Sequence, residues 1–301
     1  MAVRISTAEE YEALLRDYDT WLFDCDGVLW RGDHSIEGVI QVLDMLRRRN
    51  KKVIFVTNNA TKSRQTLLSK FEQLGVQAHA DEVYGSAYAA AVYVSSVLKM
   101  PKTKKAYVIG MAGLEEELRS EGIAFLGGTD LADNTLESFD LGTWKRDPDV
   151  GAVICGLDTK INYTKLSKAF QYLLNDPECH FIETNEDSTY PSAHGLLPGA
   201  GSISAPLRCA IQRAPVICGK PSTTMLDSIQ AKVHFDPKRT IMVGDRLNTD
   251  IQFGQNGGLS TLLVLTGITS EADITGPNAS PIVPDFVTQS LGDLRAADKA
   301  P

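Results

Sequence analysis

Asp24 and Asp26 flank Cys25 at the end of an apolar run, in the stretch Trp21-Leu22-Phe23-Asp24-Cys25-Asp26-Gly27. Residues two apart on an extended chain project to the same side, so the two carboxylates would share a face while Cys25 points elsewhere. Two carboxylates that close do not both ionise cheaply without a cation beside them. That tension suits a division of labour. One carboxylate is ionised, metal-bound and nucleophilic, and the other carries a proton for a leaving group. Gly27 permits the sharp turn that follows. Taken alone, D-x-D-G also reads as an acidic turn.

Three further apolar runs end in polar residues suited to phosphate. Thr57-Asn58-Asn59 follows Ile54-Phe55-Val56 and precedes a helix start expected at Thr61. Its hydroxyl, amides and helix-start N–H groups would cradle phosphate oxygens; the same residues also read as an N-cap cluster. Gly219-Lys220-Pro221 follows Val216-Ile217-Cys218. A lysine there would offset charge on a nucleophile and on a transferring phosphoryl group, although most lysines at turns are surface residues. Gly244-Asp245-Arg246-Leu247-Asn248-Thr249-Asp250 follows Ile241-Met242-Val243. Asp245 would join Asp24 around Mg²⁺, a hard cation that takes few carboxylates plus water and phosphate oxygens. Asp250 would hold a metal-bound water or orient Lys220; a helix N-terminal acid is the equal alternative.

These residues need strands that end side by side. Strand-like runs fall at 21–23, 53–56, 106–109, 152–155, 181–182, 216–218, 240–243 and 261–265, many almost wholly apolar, as parallel strands buried on both faces are. Amphipathic helical stretches alternate with them at 36–49, 63–74 and 166–174. The expected fold is α/β, with a doubly wound, Rossmann-like parallel sheet. Ligands in such sheets bind beyond the carboxyl ends of the strands. The segment 102–205 is irregular, has acidic loops and its own strands, and lies between the chemically loaded segments. It is expected to be an inserted α/β cap domain, with the core formed by 1–101 and 206–301.

The chain has 301 residues, long for one compact domain and comfortable for two. Its net charge of −8 argues against a nucleic-acid partner. An acidic protein that handles phosphate needs local positive charge, which a metal ion supplies. No apolar stretch approaches a membrane span, and the N-terminal residues lack a signal-peptide pattern. Five dispersed cysteines without a CxxC pair fit reduced thiols, and a cytoplasmic location is expected. His34, His79, His180, His194 and His234 show no ligand spacing.

The ordered set FDCDGV, VTNN, GKP and GDRLNTD resembles the four signatures of the haloacid dehalogenase superfamily of phosphatases. The insertion falls where that superfamily carries its larger cap. DCDGVLW, FVTNNATKSR, SAYAAA, YVIGMAGLEEEL, DTKINYTKL, ETNEDSTYP and LPGAGSI are similar to the 4-nitrophenylphosphatase and phosphoglycolate phosphatase group. The resemblance implies an aspartyl-phosphate on Asp24, acid–base work by Asp26, and Mg²⁺ held by Asp24, Asp245 and the Asp26 carbonyl. It also implies phosphoryl oxygens held by Thr57, Asn58, Asn59 and Lys220. By resemblance Tyr190 faces the substrate where a pyridoxal phosphate phosphatase has histidine, which favours small acids such as 2-phosphoglycolate; a packed loop aromatic is the alternative. A homodimer through the cap is expected. Nucleotidase, sugar phosphatase or pyridoxal phosphate phosphatase chemistry stands beside this reading, as does a silent phosphate-binding regulator. Trp30 and Arg31 are expected in a flap after the first strand. Cys25 is a redox candidate against the alternative of an inert core thiol.

Overall fold

The computed structural model describes residues 2–192 and 195–299. Among them, seven strands form one all-parallel sheet in the order Val3–Arg4, Phe286–Thr288, Ser260–Val264, Thr240–Gly244, Thr20–Phe23, Lys52–Thr57, Val83–Gly85. The apolar runs become its central strands because they are covered on both faces. Trp21 and Phe23 face a cluster with helices Ala8–Asp17 and Val39–Arg48, while Leu22 faces helices Ser86–Val92 and Thr223–Gln230. All three side chains are fully buried, so truncating Phe23 to alanine would cost about 3–5 kcal/mol.

From Thr20–Phe23 the chain steps to one side of the sheet, then returns to add Thr240–Gly244 and the strands beyond it on the other side. The order reverses between Thr20–Phe23 and Thr240–Gly244, where α/β sheets open a crevice. Asp24 and Asp245 follow these two strands.

Five strands form a second parallel sheet, in the order Val216–Ile217, His180–Glu183, Val150–Cys155, Lys105–Ile109, Ala124–Gly127. One face carries helices Tyr163–Asn175 and Ala200–Ile211. The other shares an apolar cluster with the larger sheet: Ala106, Val108, Ala152 and Ile154 belong with Leu22, Ile54 and Met242. Val216–Ile217 hydrogen-bonds alongside Ile182–Glu183, so this run is an edge of the smaller sheet and not a core strand beside the others. Its two residues are too few for the sequence to show which sheet they join.

The helix expected from Thr61 begins at Arg64, with Ser63 as its N-cap accepting from Thr66 N at 3.3 Å. Asn59 Oδ1 takes the Thr61 N–H at 2.9 Å, and this local turn holds residues 59–62 out of the helix. Trp30–Arg31 pairs antiparallel with His34–Ser35 to form a small flap after the first central strand. A second hairpin pairs Thr189–Ser192 with Gly195–Pro198. The Pro/Ser/Thr-richer segment after Thr266 is folded: it supplies Phe286–Thr288 and a 3-10 helix, Leu291–Lys299, beside Ala8–Asp17 and Val39–Arg48.

Candidate active site

Asp24 directly follows its strand and is fixed by its own N–H, which donates to Val243 O at 2.9 Å. Lys220 arrives from the loop after Val216–Ile217 and is 3% exposed. Its ammonium spends all three protons: on Asp24 Oδ1 at 2.6 Å, Asp250 Oδ1 at 2.7 Å and Val56 O at 2.9 Å. Asp250 Oδ2 accepts the N–H groups of Asp245 at 3.2 Å and Arg246 at 3.0 Å. Of the three readings left open for Asp250, the lysine-orienting one is the one its ion pair with Lys220 matches.

Asp245 Oδ2 accepts the Ile268 N–H at 2.6 Å, while its Oδ1 is buried with no hydrogen-bond partner among the described residues. Gly27 has φ +86°, and a Cβ there would stand 2.6 Å from Asp245 Oδ2, so only glycine lets this turn close on Asp245. Oxygens of Asp24, Asp245 and Asp250 lie within 4.8 Å of one another. Three carboxylates (−3) against one ammonium (+1) leave −2 in a largely buried cluster. Burial lifts the Asp24 carboxyl well above the usual range; Lys220 opposes this, and Asp250 and Asp245 reinforce it. Asp245 is pushed up to about 7, by burial first and Asp250 next. Burial disfavours the Lys220 ammonium, but Asp24 and Asp250 outweigh it and keep the lysine charged. The orphaned oxygen, the excess negative charge and the hard oxygen donors fit a divalent cation.

Asn58 takes a different place from the one expected. Its Oδ1 accepts the Lys220 N–H at 2.8 Å, and its Nδ2 donates to Lys220 O at 3.0 Å and Asp187 Oδ2 at 3.3 Å. Both amide hydrogens are used, so Asn58 clamps the lysine loop from behind. Thr57 is buried, and its Oγ1 accepts from Asn59 N at 3.2 Å, leaving its own hydrogen to give. Asn59 Oδ1 is occupied by Thr61 N and Oγ1. Tyr190 is half-buried in the hairpin opposite Leu197.

Asp26 does not join the carboxylate trio. The strand ends at Phe23, so two-residue alternation no longer applies, and the turn carries Asp26 to the surface with a side chain 60% exposed. Trp30 Nε1 donates to its Oδ1 at 2.8 Å. Asn185 and Asp187 were not singled out from their residue types: Asn185 Nδ2 donates to Asn58 O at 2.8 Å, tying the smaller sheet to the site. Only the ETNEDSTYP resemblance pointed at them, because an Asn-x-Asp in a loop is ordinary turn chemistry.

Cys25 is a buried thiol whose pKa is pushed well up, by burial first and then Asp24 and Asp26, which fits the inert reading. His34, His79, His180 and His234 are exposed, and His194 lies outside the described residues.

Residues 21–124 match the haloacid dehalogenase-like hydrolase family model, and residues 217–294 match a second model described as HAD-hydrolase-like. A 4-nitrophenylphosphatase of Schizosaccharomyces pombe is 48% identical over 98% of this chain and 99% of its own. The chain belongs to the haloacid dehalogenase-like hydrolases. Phosphoglycolate phosphatase 1A, chloroplastic, of Arabidopsis thaliana is 43% identical over 97% of this chain and 81% of its own length. A glycerol phosphate phosphatase of Mycobacterium tuberculosis, solved in complex with magnesium, superposes with a TM-score of 0.77 at 28% identity. That match covers 93% of this chain and 77% of the other. The two matched segments of this haloacid dehalogenase-like hydrolase bring Asp24 and Thr57, and Lys220, Asp245 and Asp250, respectively.

Proposed function

We propose that this chain is a Mg²⁺-dependent phosphomonoester hydrolase for small phosphorylated acids such as 2-phosphoglycolate, with 4-nitrophenyl phosphate as an in vitro substrate. The observation that carries the reading is the meeting of Asp24, Lys220 and Asp245, with one buried Asp245 oxygen left unpartnered among the described residues. Asp24, Asp245 and the main-chain carbonyl of Asp26 would hold the ion. When bound, it supplies positive charge that offsets charge on the phosphoryl oxygens.

Asp24 attacks phosphorus in line as the bond to the leaving oxygen breaks. Asp26 donates a proton to that oxygen, then accepts one from the water that cleaves the aspartyl-phosphate and regenerates Asp24. Thr57 offers its free hydroxyl hydrogen to an equatorial oxygen, and the Lys220 ammonium, held beside Asp24, offsets charge on the phosphoryl group through the loose transition state. Asn58 acts through Lys220, whose backbone it grips on both sides, and Asn59 shapes the turn beside it.

The smaller sheet with its helices forms a cap that excludes water and selects substrate. Its elements span Lys105 to Ile217, so the cap extends past the expected boundary at 205. Tyr190, three residues beyond Asp187, is the candidate selectivity residue. Pairing of caps in a homodimer and a cytoplasmic location complete the reading. Among the described residues no helix is long and apolar enough to cross a membrane. A panel of phosphate esters assayed for phosphate release with Mg²⁺ tests the reading. Turnover of 2-phosphoglycolate above the nucleotide and sugar esters supports it; no turnover of any ester with Mg²⁺ present overturns it.

A further inference from the structure

Asp26 is exposed, yet one of its oxygens is held from two sides. Trp30 Nε1 donates to Oδ1 at 2.8 Å, and Lys70 Nζ stands 3.6 Å from the same atom. The Lys70 ammonium also lies 4.6 Å from the centre of the Trp30 ring, so the three side chains close a triangle. Asp26 Oδ2 has no hydrogen-bond partner among the described residues.

The two holders are themselves fixed. Trp30 is 1% exposed and meets Phe71 edge-on at 4.9 Å. Phe71 is the neighbour of Lys70 on helix Arg64–Gln73, so one turn of helix packs the indole and delivers the ammonium. The flap turns Trp30 back onto Asp26 through a hydrogen bond from Gly27 N to Trp30 O at 2.8 Å. An ion pair this exposed contributes little to folding. Its geometric consequence is specific: a carboxyl whose Oδ1 accepts the indole N–H and faces the ammonium keeps that oxygen as acceptor and leaves Oδ2 as the oxygen that can hold a proton.

We propose that Trp30 and Lys70 are positioning residues that commit Asp26 Oδ2 to proton transfer. This rests on the phosphatase reading above. As the P–O bond breaks, its electron pair stays on the leaving oxygen, and the Oδ2 proton passes to that oxygen. The carboxylate left behind keeps its charge-assisted contacts through Oδ1.

The test compares an alkyl ester, which needs the proton, with an aryl ester whose 4-nitrophenolate leaves without one. For Lys70→Met, kcat/KM on 2-phosphoglycolate should fall on the order of tenfold further than on 4-nitrophenyl phosphate, since positioned proton transfer contributes a hundredfold or more. Lys70→Arg, which keeps the charge, should restore most of the ratio. Trp30→Phe, which keeps the ring but loses the N–H, should shift it as Lys70→Met does. A purely structural role would lower both esters alike, so an unchanged ratio in Lys70→Met overturns the inference and leaves the phosphatase reading standing. A wild-type chain that hydrolyses neither ester overturns both.

Discussion

Asp24 and Lys220 stand 196 residues apart in the chain, and their side chains meet at 2.6 Å. The contact joins the end of the central strand Thr20–Phe23 of the larger sheet to the loop leaving the edge of the smaller one. Replacing Asp24 by asparagine keeps the shape and removes the carboxylate proposed as nucleophile. Turnover should fall about 10⁴-fold or more. Lys220 keeps Asp250 and Val56 as partners, so the thermal midpoint should stay near that of the wild type. Phosphate-release kinetics beside a melting curve check both halves.

Asp250 is 1% exposed and neutralises Lys220 while accepting two backbone N–H groups. Asp250→Ala leaves a buried ammonium with less compensation and two amides without an acceptor. Breaking such a buried pair should cost about 3 kcal/mol, read from urea unfolding, and activity should fall with it. Stability equal to the wild type would show that Lys220 does not depend on this carboxylate.

Most of the larger sheet was legible because strands such as Thr20–Phe23 and Thr240–Gly244 are buried on both faces and therefore, after an opening threonine, apolar. The flanking strands Val3–Arg4 and Val83–Gly85 were not, being too short to show any periodicity. Asp24, Lys220 and Asp245 were legible as polar residues at the ends of apolar runs. The work done by Asn58 was not, because its composition fits a phosphate cradle as well as a loop clamp, and only long-range contacts with Lys220 and Asp187 separate the two. Lys70 looked like any helix-surface lysine. What marks it is Asp26, 44 positions earlier, carried there by a turn.

Asp245 Oδ1 has no hydrogen-bond partner among the described residues. Chelation with EDTA should abolish turnover, and restoring Mg²⁺ should return it. Independently of activity, Mg²⁺ at about a hundred times its dissociation constant should stabilise the fold by about 2.7 kcal/mol. Calorimetry of Asp245→Asn should lose that increment. Full activity in EDTA, or an equal increment in the variant, would remove the ion from the account.

Gly113, on helix Ala112–Ser120, fits against the backbone of Thr61 and Lys62; a Cβ there would stand 2.6 Å from atoms of both. Gly113→Ala must push the helix off the loop after Asn59, at a cost of about 1–3 kcal/mol. KM should rise as the cap side shifts. Chemical denaturation and steady-state kinetics measure the two effects.

Cys209 is the only exposed cysteine among the five. Under native conditions a thiol reagent should modify Cys209 rapidly and the others only after unfolding; Cys209→Ser should abolish the fast phase. Burial pushes the Cys179 thiol up to about 11. Because this folded value exceeds the unfolded one, its contribution to stability is intact below the unfolded value and lost as pH rises through about 11. Alkaline melting curves of Cys179→Ala against wild type should therefore converge as that range is crossed.

Rapid acid quench during turnover of 4-nitrophenyl phosphate, followed by peptide mass spectrometry, tests the central claim most directly. The account predicts a phosphoryl adduct on the peptide that carries Asp24, absent in Asp24→Asn. A wild-type enzyme that turns over yet carries its phosphoryl group on another residue would contradict it.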